Sequence, residues 1–215
     1  MTDAGVRSPR ERYRAQMRAE IKQCAWEQIA TAGASALSLN AIAKQVGMSG
    51  PALYRYFAGR DELITELIRD AYRSLADTLR AARDSGADVS GMAYALREWA
   101  LADPQRYFLI YGTPVPGYRA PDDTTAISNE TMTMLIEAFS ALPLDDEAKP
   151  FDTHLEHHRR WAPDKSVPGT TLHRALSFWT RIHGVLSLEL AGHFTGMEFD
   201  PALLFADELD TLLTD

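Results

Sequence analysis

Apolar residues recur along most of the chain at steps of three and four, the spacing of a helix with one buried face, and no stretch alternates in twos for the length of a strand. From Arg12 to Ala32 the repeating positions are Met17, Ile21, Cys24, Ala25, Ile29 and Ala32, and Gly33 follows where a helix ends on glycine. Ser38 is placed to cap a short helix, Leu39 to Val46, with Leu39, Ile42, Ala43 and Val46 on its inner face. Gly47 supplies a sharp break. Ser49 is placed to cap a third helix in which Leu53 and Phe57 look inward, and Pro51 fits its first turn, where the missing N–H has no partner to lose. A long amphipathic helix runs from about Asp61 through Leu63, Ile64, Leu67, Ile68, Ala71, Leu75 and Leu79, fading between Arg83 and Gly86.

Further on, a helix ends near Leu101, and Asp103-Pro104 has the form of an N-cap followed by a first-turn proline, opening a helix through Tyr107, Phe108, Ile110 and Tyr111. The segment YGTPVPGYRAPDD reads as a non-helical, shaped loop. A helix is expected from Thr124 to Ala141, then a polar, proline-punctuated mobile loop from Leu142 to Gly169 with one or two helical turns. Thr170 to His193 reads as a helix with Leu172, Leu176, Trp179, His183, Leu186 and Leu190 in register, and Asp200-Pro201 opens a final one carrying Leu204, Leu209, Leu212 and Leu213. The expected fold is all-α: a three-helix N-terminal unit over residues 1–60, joined by the long helix to a helical unit over residues 61–215.

Charge sharpens this division. The chain of 215 residues has a formal charge of −8, yet its first sixty residues hold nine Lys or Arg against four acids, a net of +5. A basic module that approaches a polyanion, attached to an acidic body that does not, fits such an asymmetry. No apolar run approaches the roughly 18 residues needed to span a bilayer and the N-terminus lacks a secretory core, so a cytoplasmic protein without membrane contact is expected. The lone Cys24 cannot form an internal disulfide and reads as a small core residue.

Two short helices separated by Gly47-Met48-Ser49 and packed on a longer first helix form a helix-turn-helix, whose second helix enters the DNA major groove. With Leu53 and Phe57 as anchors, Ser49, Gly50, Pro51, Tyr54 and Arg55 are free to face a duplex. Small residues at the helix start let the backbone approach base edges, and tyrosine hydroxyls reach phosphates.

The stretch IKQCAWEQIATAGASALSLNAIAKQVGMSGPALYRYFAGRDELITELI resembles the DNA-binding region of the tetracycline-repressor (TetR) family of bacterial transcription regulators, through Ile21, Ala25, Ile29, Gly33, Leu39, Ile42-Ala43, Gly47, Ser49, Leu53-Tyr54, Tyr56-Phe57 and Leu63. The resemblance implies backbone contacts from Ser38, Asn40, Tyr54, Tyr56 and Arg60, with Lys44 on the same surface, and base-edge positions for Ser49, Gly50, Pro51, Ala52 and Arg55. Ala52 departs from the hydroxyl residue common in the family, and Arg60 replaces a common lysine. An arginine-rich arm from Arg7 to Arg18 is either a minor-groove contact or disordered.

FWTRIHGVLSLELAGHF resembles a subgroup of TetR ligand-binding domains marked by Trp179 and His183-Gly184. That likeness implies a homodimer through the last two helices and an effector pocket between the middle ones. Trp99, Tyr107, Phe108, Tyr111, Phe139, Phe178, Trp179 and His183 are the candidate pocket residues, Tyr107, Tyr111 and His183 being the ones to orient a ligand, which should be small and mostly hydrophobic. Gly184, Ser187, Ala191 and Gly192 read as permitting close helix approach, with Glu189 on a wet edge or paired across the dimer. The reading is of a ligand-relieved repressor binding palindromic double-stranded operator DNA, with no enzymatic activity, cofactor or metal. His154, His157 and His158 offer donors but no second matched cluster; GMSGP is not the nucleophile elbow, because Pro51 stands at its last glycine. The rival reading is a helical ligand-binding or hydrolytic protein whose basic module contacts proteins.

Overall fold

A computed structural model of the chain describes residues 8–119, 121–143 and 149–214, with the side chains of residues 122 and 123 left aside. It is all-α: the described residues form ten α-helices and one 3₁₀ turn, without strands. They are α1 (Pro9–Ala32), the 3₁₀ turn (Ala34–Ala36), α2 (Leu39–Gln45), α3 (Gly50–Leu53), α4 (Arg60–Asp84), α5 (Val89–Ala102), α6 (Pro104–Tyr111), α7 (Asp122–Ser140), α8 (Pro150–His157), α9 (Gly169–Leu190) and α10 (Pro201–Thr214).

Most boundaries follow local chemistry visible in the sequence. Ser38 caps α2 by accepting from the Ala41 N–H at 3.4 Å, and Asp103 caps α6 by accepting from the Arg106 N–H at 3.2 Å. Gly47 sits at φ 70°, the left-handed turn that lets the chain leave α2 and enter α3 within three residues. Other boundaries differ from expectation. α1 starts at Pro9, because Ser8 and Glu11 form a capping box in which each side chain satisfies the other's backbone N–H. Thus Arg10, Arg12, Arg14 and Arg18 are helical and not a loose arm, while Arg7 lies outside the described residues.

Ser49 begins α3 without a side-chain cap bond, and α3 closes after a single turn, although Tyr54 N–H to Gly50 O (3.1 Å) and Phe57 N–H to Leu53 O (3.2 Å) keep the backbone coiled beyond it. Tyr111 closes α6 as expected, but the proline loop is shorter than its sequence suggested at its far end, since Asp122-Asp123 already belong to α7. The polar stretch after it contains a two-turn helix, α8, with Asp152 accepting from the Lys149 N–H at 2.6 Å and facing His173 Nδ1 at 2.7 Å. α9 stops at Leu190, short of His193, where Gly192 turns the chain.

Two buried clusters organise the packing. The first gathers Ile21, Ala25, Ile29, Leu39, Ile42, Leu53 and Phe57 with Leu63–Ile68 of α4. The second gathers Leu75 and Leu79 of α4 with α5, α6, α7, α9 and α10. α4 therefore contributes its first half to one core and its second half to the other. The loop after α6 returns to the first cluster, where Val115 is buried and the Tyr118 hydroxyl meets Thr65 Oγ1 at 3.0 Å.

Candidate nucleic-acid interface and effector pocket

The surface opposite the first core is built by α2, α3 and the turn that follows. Leu39, Ile42, Ala43, Leu53 and Phe57 are buried, which leaves Asn40, Lys44, Ser49, Pro51, Tyr54 and Arg55 exposed and Ser38, Gly50, Ala52 and Tyr56 half-buried beside them. Tyr54 is 51% exposed, so its ring and hydroxyl are available to a partner. Lys44 and Arg55 have no acidic partner among the described residues. The surface thus offers two free cations, a tyrosine hydroxyl and small residues at a helix start, the groups suited to phosphate oxygens and base edges.

Several basic residues elsewhere in this unit are committed inside the protein. Arg18 donates to the Tyr56 carbonyl at 2.5 Å, pairs with Glu66 at 3.1 Å and stacks its guanidinium 4.2 Å from the Phe57 ring centroid. Lys22 bridges to Asp70 at 2.5 Å, a second tie between α1 and α4. Arg60 donates to the carbonyls of Ala34 and Ser35 at 2.9 and 3.2 Å, so its guanidinium closes the 3₁₀ turn. These contacts account for a good part of the basic excess without DNA. Cys24 is half-buried at the edge of the first cluster, where burial pushes its thiol pKa up.

The second core holds a mostly apolar cavity with about 40 Å³ of free space for water-sized groups and about 440 Å³ of unfilled volume, part of it open to solvent. Of the eight sequence-selected residues, Tyr111, Phe178, Trp179 and His183 line it. The other four do not. Trp99 is buried with its indole N–H on Ser74 Oγ at 3.1 Å, Phe139 packs edge-on against Phe178 at 5.5 Å, and Phe108 packs beside Tyr107. Tyr107 is fully buried, its hydroxyl 3.0 Å from His183 Nδ1, 3.2 Å from the His183 carbonyl and 2.9 Å from Ser187 Oγ. The rest of the lining is aliphatic, from Leu75 and Leu79 of α4, Met92 and Leu96 of α5, Leu135 of α7 and Ile182, with Thr131 as a further hydroxyl. Only helical phase, resolved in three dimensions, distinguishes these leucines from others on the same helices.

His183 is the polar centre of this wall. Its ring lies 4.2 Å from Tyr111 and 5.2 Å from Trp179, and burial pushes its pKa down from 6.5 to about 4, so the imidazole is neutral. The Tyr107 hydroxyl can donate to a neutral Nδ1 or to the His183 carbonyl while accepting from Ser187. Burial likewise pushes the Tyr111 hydroxyl pKa upward, with Thr131 as its hydrogen-bond partner. Tyr111, Thr131 and His183 are uncharged groups that hold polar atoms beside an apolar space.

Large apolar side chains are also exposed on α9, on the segment after it and on α10. Trp179, Leu188, Met197, Phe199 and Leu203 are between 37% and 70% exposed, and a side chain added at Gly184 would meet open space. Ser187, by contrast, faces inward to Tyr107. Glu189 is paired within the chain, gripping Arg97 through two contacts of 2.5 and 3.3 Å with both side chains largely buried. His154 and His158 stack at 4.0 Å at the end of α8, and no group of three metal-ligating side chains occurs among the described residues.

Comparison with known proteins bears on both regions. The sequence model for bacterial regulatory proteins of the tetR family matches residues 23–67, and that for the tetracyclin repressor-like C-terminal domain matches residues 89–212. The HTH-type transcriptional regulator Rv1816 of Mycobacterium tuberculosis is 36% identical over 210 residues, 89% of this chain and 88% of that one. The crystal structure of regulatory protein SCO4313 superposes with a TM-score of 0.89 at 70% identity, over 97% of this chain and all of the other. A protein of unknown function from Rhodococcus sp. RHA1 shares the fold at 19% identity, with a TM-score of 0.68 over 100% of this chain and 98% of its own.

Proposed function

The chain belongs to the TetR family of transcriptional regulators, and from that premise we propose that it is a homodimeric repressor that releases a palindromic operator when a small hydrophobic effector enters the second core. The observation that carries this reading is the exposed face of α2–α3, where Ser49, Pro51, Tyr54 and Arg55 stand over the buried anchors Leu53 and Phe57. Residues 1–60 serve as the DNA-binding domain and residues 61–215 as the effector and dimerisation domain. Asn40, Lys44 and Tyr56 flank the recognition turn on the phosphate side. Arg60 acts mainly by closing the 3₁₀ turn before α2, and Ser38 by capping α2.

The exposed apolar side chains on and between α9 and α10 support dimerisation, because large exposed apolar patches mark association sites. A two-fold dimer places its recognition elements about 34–36 Å apart, one turn of B-DNA. The effector acts through α4. Leu75 and Leu79 border the cavity while Leu63–Ile68 of the same helix hold the DNA-binding core, so a ligand that needs more room than the present 40 Å³ displaces α4 and changes the spacing. It can do so only to the extent that it binds the displaced arrangement more tightly. Catalysis has no part in this reading, and the protein acts in the cytoplasm on DNA; among the described residues no helix is long and apolar enough to cross a membrane.

The test is selection of duplexes from a genomic library by the full chain, followed by footprinting. Two symmetric half-sites one helical turn or a multiple apart are expected. An absence of enriched duplex, or a single asymmetric footprint with one protein copy, would overturn the proposal.

A further inference from the structure

Tyr54, Arg55 and Tyr56 follow the single turn of α3, so their placement depends on how the open end of that segment is held. No backbone N–H among the described residues returns to the carbonyls of Arg55 and Tyr56. Side chains of α1 take their place: Arg18 Nη1 donates to the Tyr56 carbonyl at 2.5 Å, and Arg14 Nη2 donates more distantly to that of Arg55, at 3.4 Å. Basic side chains close helix ends in this way where the last carbonyls lack partners. Here the closing group comes from a different helix.

Arg18 is itself fixed from two further sides. Its Nη2 meets Glu66 Oε2 of α4 at 3.1 Å, the other Glu66 oxygen accepts from Arg69 at 2.9 Å, and the guanidinium lies 4.2 Å from the centroid of the buried Phe57 ring. A guanidinium is a planar fork whose donors have fixed directions, so this one group sets the Tyr56 carbonyl, the Phe57 anchor and α4 in register. Lys22, one turn further along α1, makes a bridge of the same kind to Asp70 of α4 at 2.5 Å but no hydrogen bond to the turn. We propose that Arg18 is a positioning residue for DNA recognition: without touching DNA, it fixes where Tyr54 and Arg55 stand over the duplex. The proposal rests on the reading of the α2–α3 face given above. Base contacts demand that placement, whereas phosphate contacts carry no sequence information and supply most non-specific affinity. Loss of Arg18 therefore lowers discrimination between sequences more than it lowers affinity for DNA.

The test is an anisotropy titration of the full chain with a selected operator and with a scrambled duplex of the same composition. Arg18→Met, which keeps an apolar stem on Phe57, should reduce the ratio of operator to scrambled affinity roughly tenfold, the loss of one charge-assisted hydrogen bond. Lys22→Met removes the same charge and an equivalent bridge from the same helix, and should weaken both duplexes alike with the ratio unchanged. Arg18→Lys keeps the charge but not the fork, so it should restore scrambled-duplex affinity without restoring the ratio, and it keeps the test available if Arg18→Met folds poorly. A wild-type ratio in both Arg18 variants, or an equal fall in Lys22→Met, would overturn the proposal. Should the wild type itself prefer no duplex, the reading of the face fails, and amide hydrogen exchange decides the role of Arg18 separately. Exchange at residues 54–57 should be faster in Arg18→Met than in Lys22→Met, and equal exchange would overturn the positioning role.

Discussion

Acidification should destabilise this protein through His183, by an amount the structure sets. The ring is enclosed by Tyr107, Tyr111 and Trp179, none of which carries charge in the acid range, and burial alone pushes its pKa from 6.5 to about 4. The folded state therefore resists a proton that the unfolded chain accepts. Stability is fully present above the unfolded value, falls as pH drops below it, and the loss is complete once pH passes the folded value. Between about pH 7 and about pH 5 the loss assigned to this one ring is about 2 kcal/mol, approaching about 3 kcal/mol below pH 4. Urea unfolding at both pH values, at one fixed protein concentration because association adds to apparent stability, should be compared between the wild type and His183→Gln. The variant removes the titration and keeps a hydrogen-bonding side chain, so its stability should fall by about 2 kcal/mol less over the same interval. Identical losses in the two proteins would refute the assignment of a neutral, proton-resisting His183.

The Arg97–Glu189 pair makes a second prediction: Glu189→Ala leaves a largely buried guanidinium without its carboxylate, and should cost about 3 kcal/mol in chemical denaturation, whereas replacing both residues with apolar ones of similar size should cost much less. Leu203 is 70% exposed on α10, so Leu203→Glu should shift the protein toward monomer in sedimentation velocity while leaving its helical circular dichroism unchanged.

How much of this was legible in the sequence depended on whether a feature is local. Gly47, Ser38 and Asp103-Pro104 determine the chain's path by their own backbone chemistry, and the corresponding turn and two helix starts lie where their spacing placed them. Apolar periodicity does not mark the start of α1, because the first turn lacks it; the Ser8–Glu11 capping box is the sequence signal that does. The one or two helical turns expected in the polar stretch are there as α8, but the meeting of its Asp152 with His173 of α9 arises only through tertiary packing. The pocket shows the limit most plainly. Aromatic character does not identify the lining: Trp99 and Phe139 fill space while Leu75, Leu79, Met92 and Leu96 border it. Which side of a helix faces a gap is fixed by crossing angles that periodicity does not contain. Arg60 and Arg18 make the same point about charge, since each is occupied by carbonyl groups brought near by the fold.

The central claim is that the exposed α2–α3 face reads duplex DNA, and titration of a selected operator by fluorescence anisotropy tests it most directly. Tyr54→Ala and Arg55→Ala both alter exposed side chains over an intact core, so dimerisation and helicity should persist while operator affinity falls, by about 1–3 kcal/mol for a lost base contact. Affinity of the wild type should also fall steeply with salt as phosphate contacts release counterions, and Arg55→Ala should make that slope shallower if its contact is to phosphate. Wild-type affinity retained by both variants, together with a flat salt response, would contradict the account.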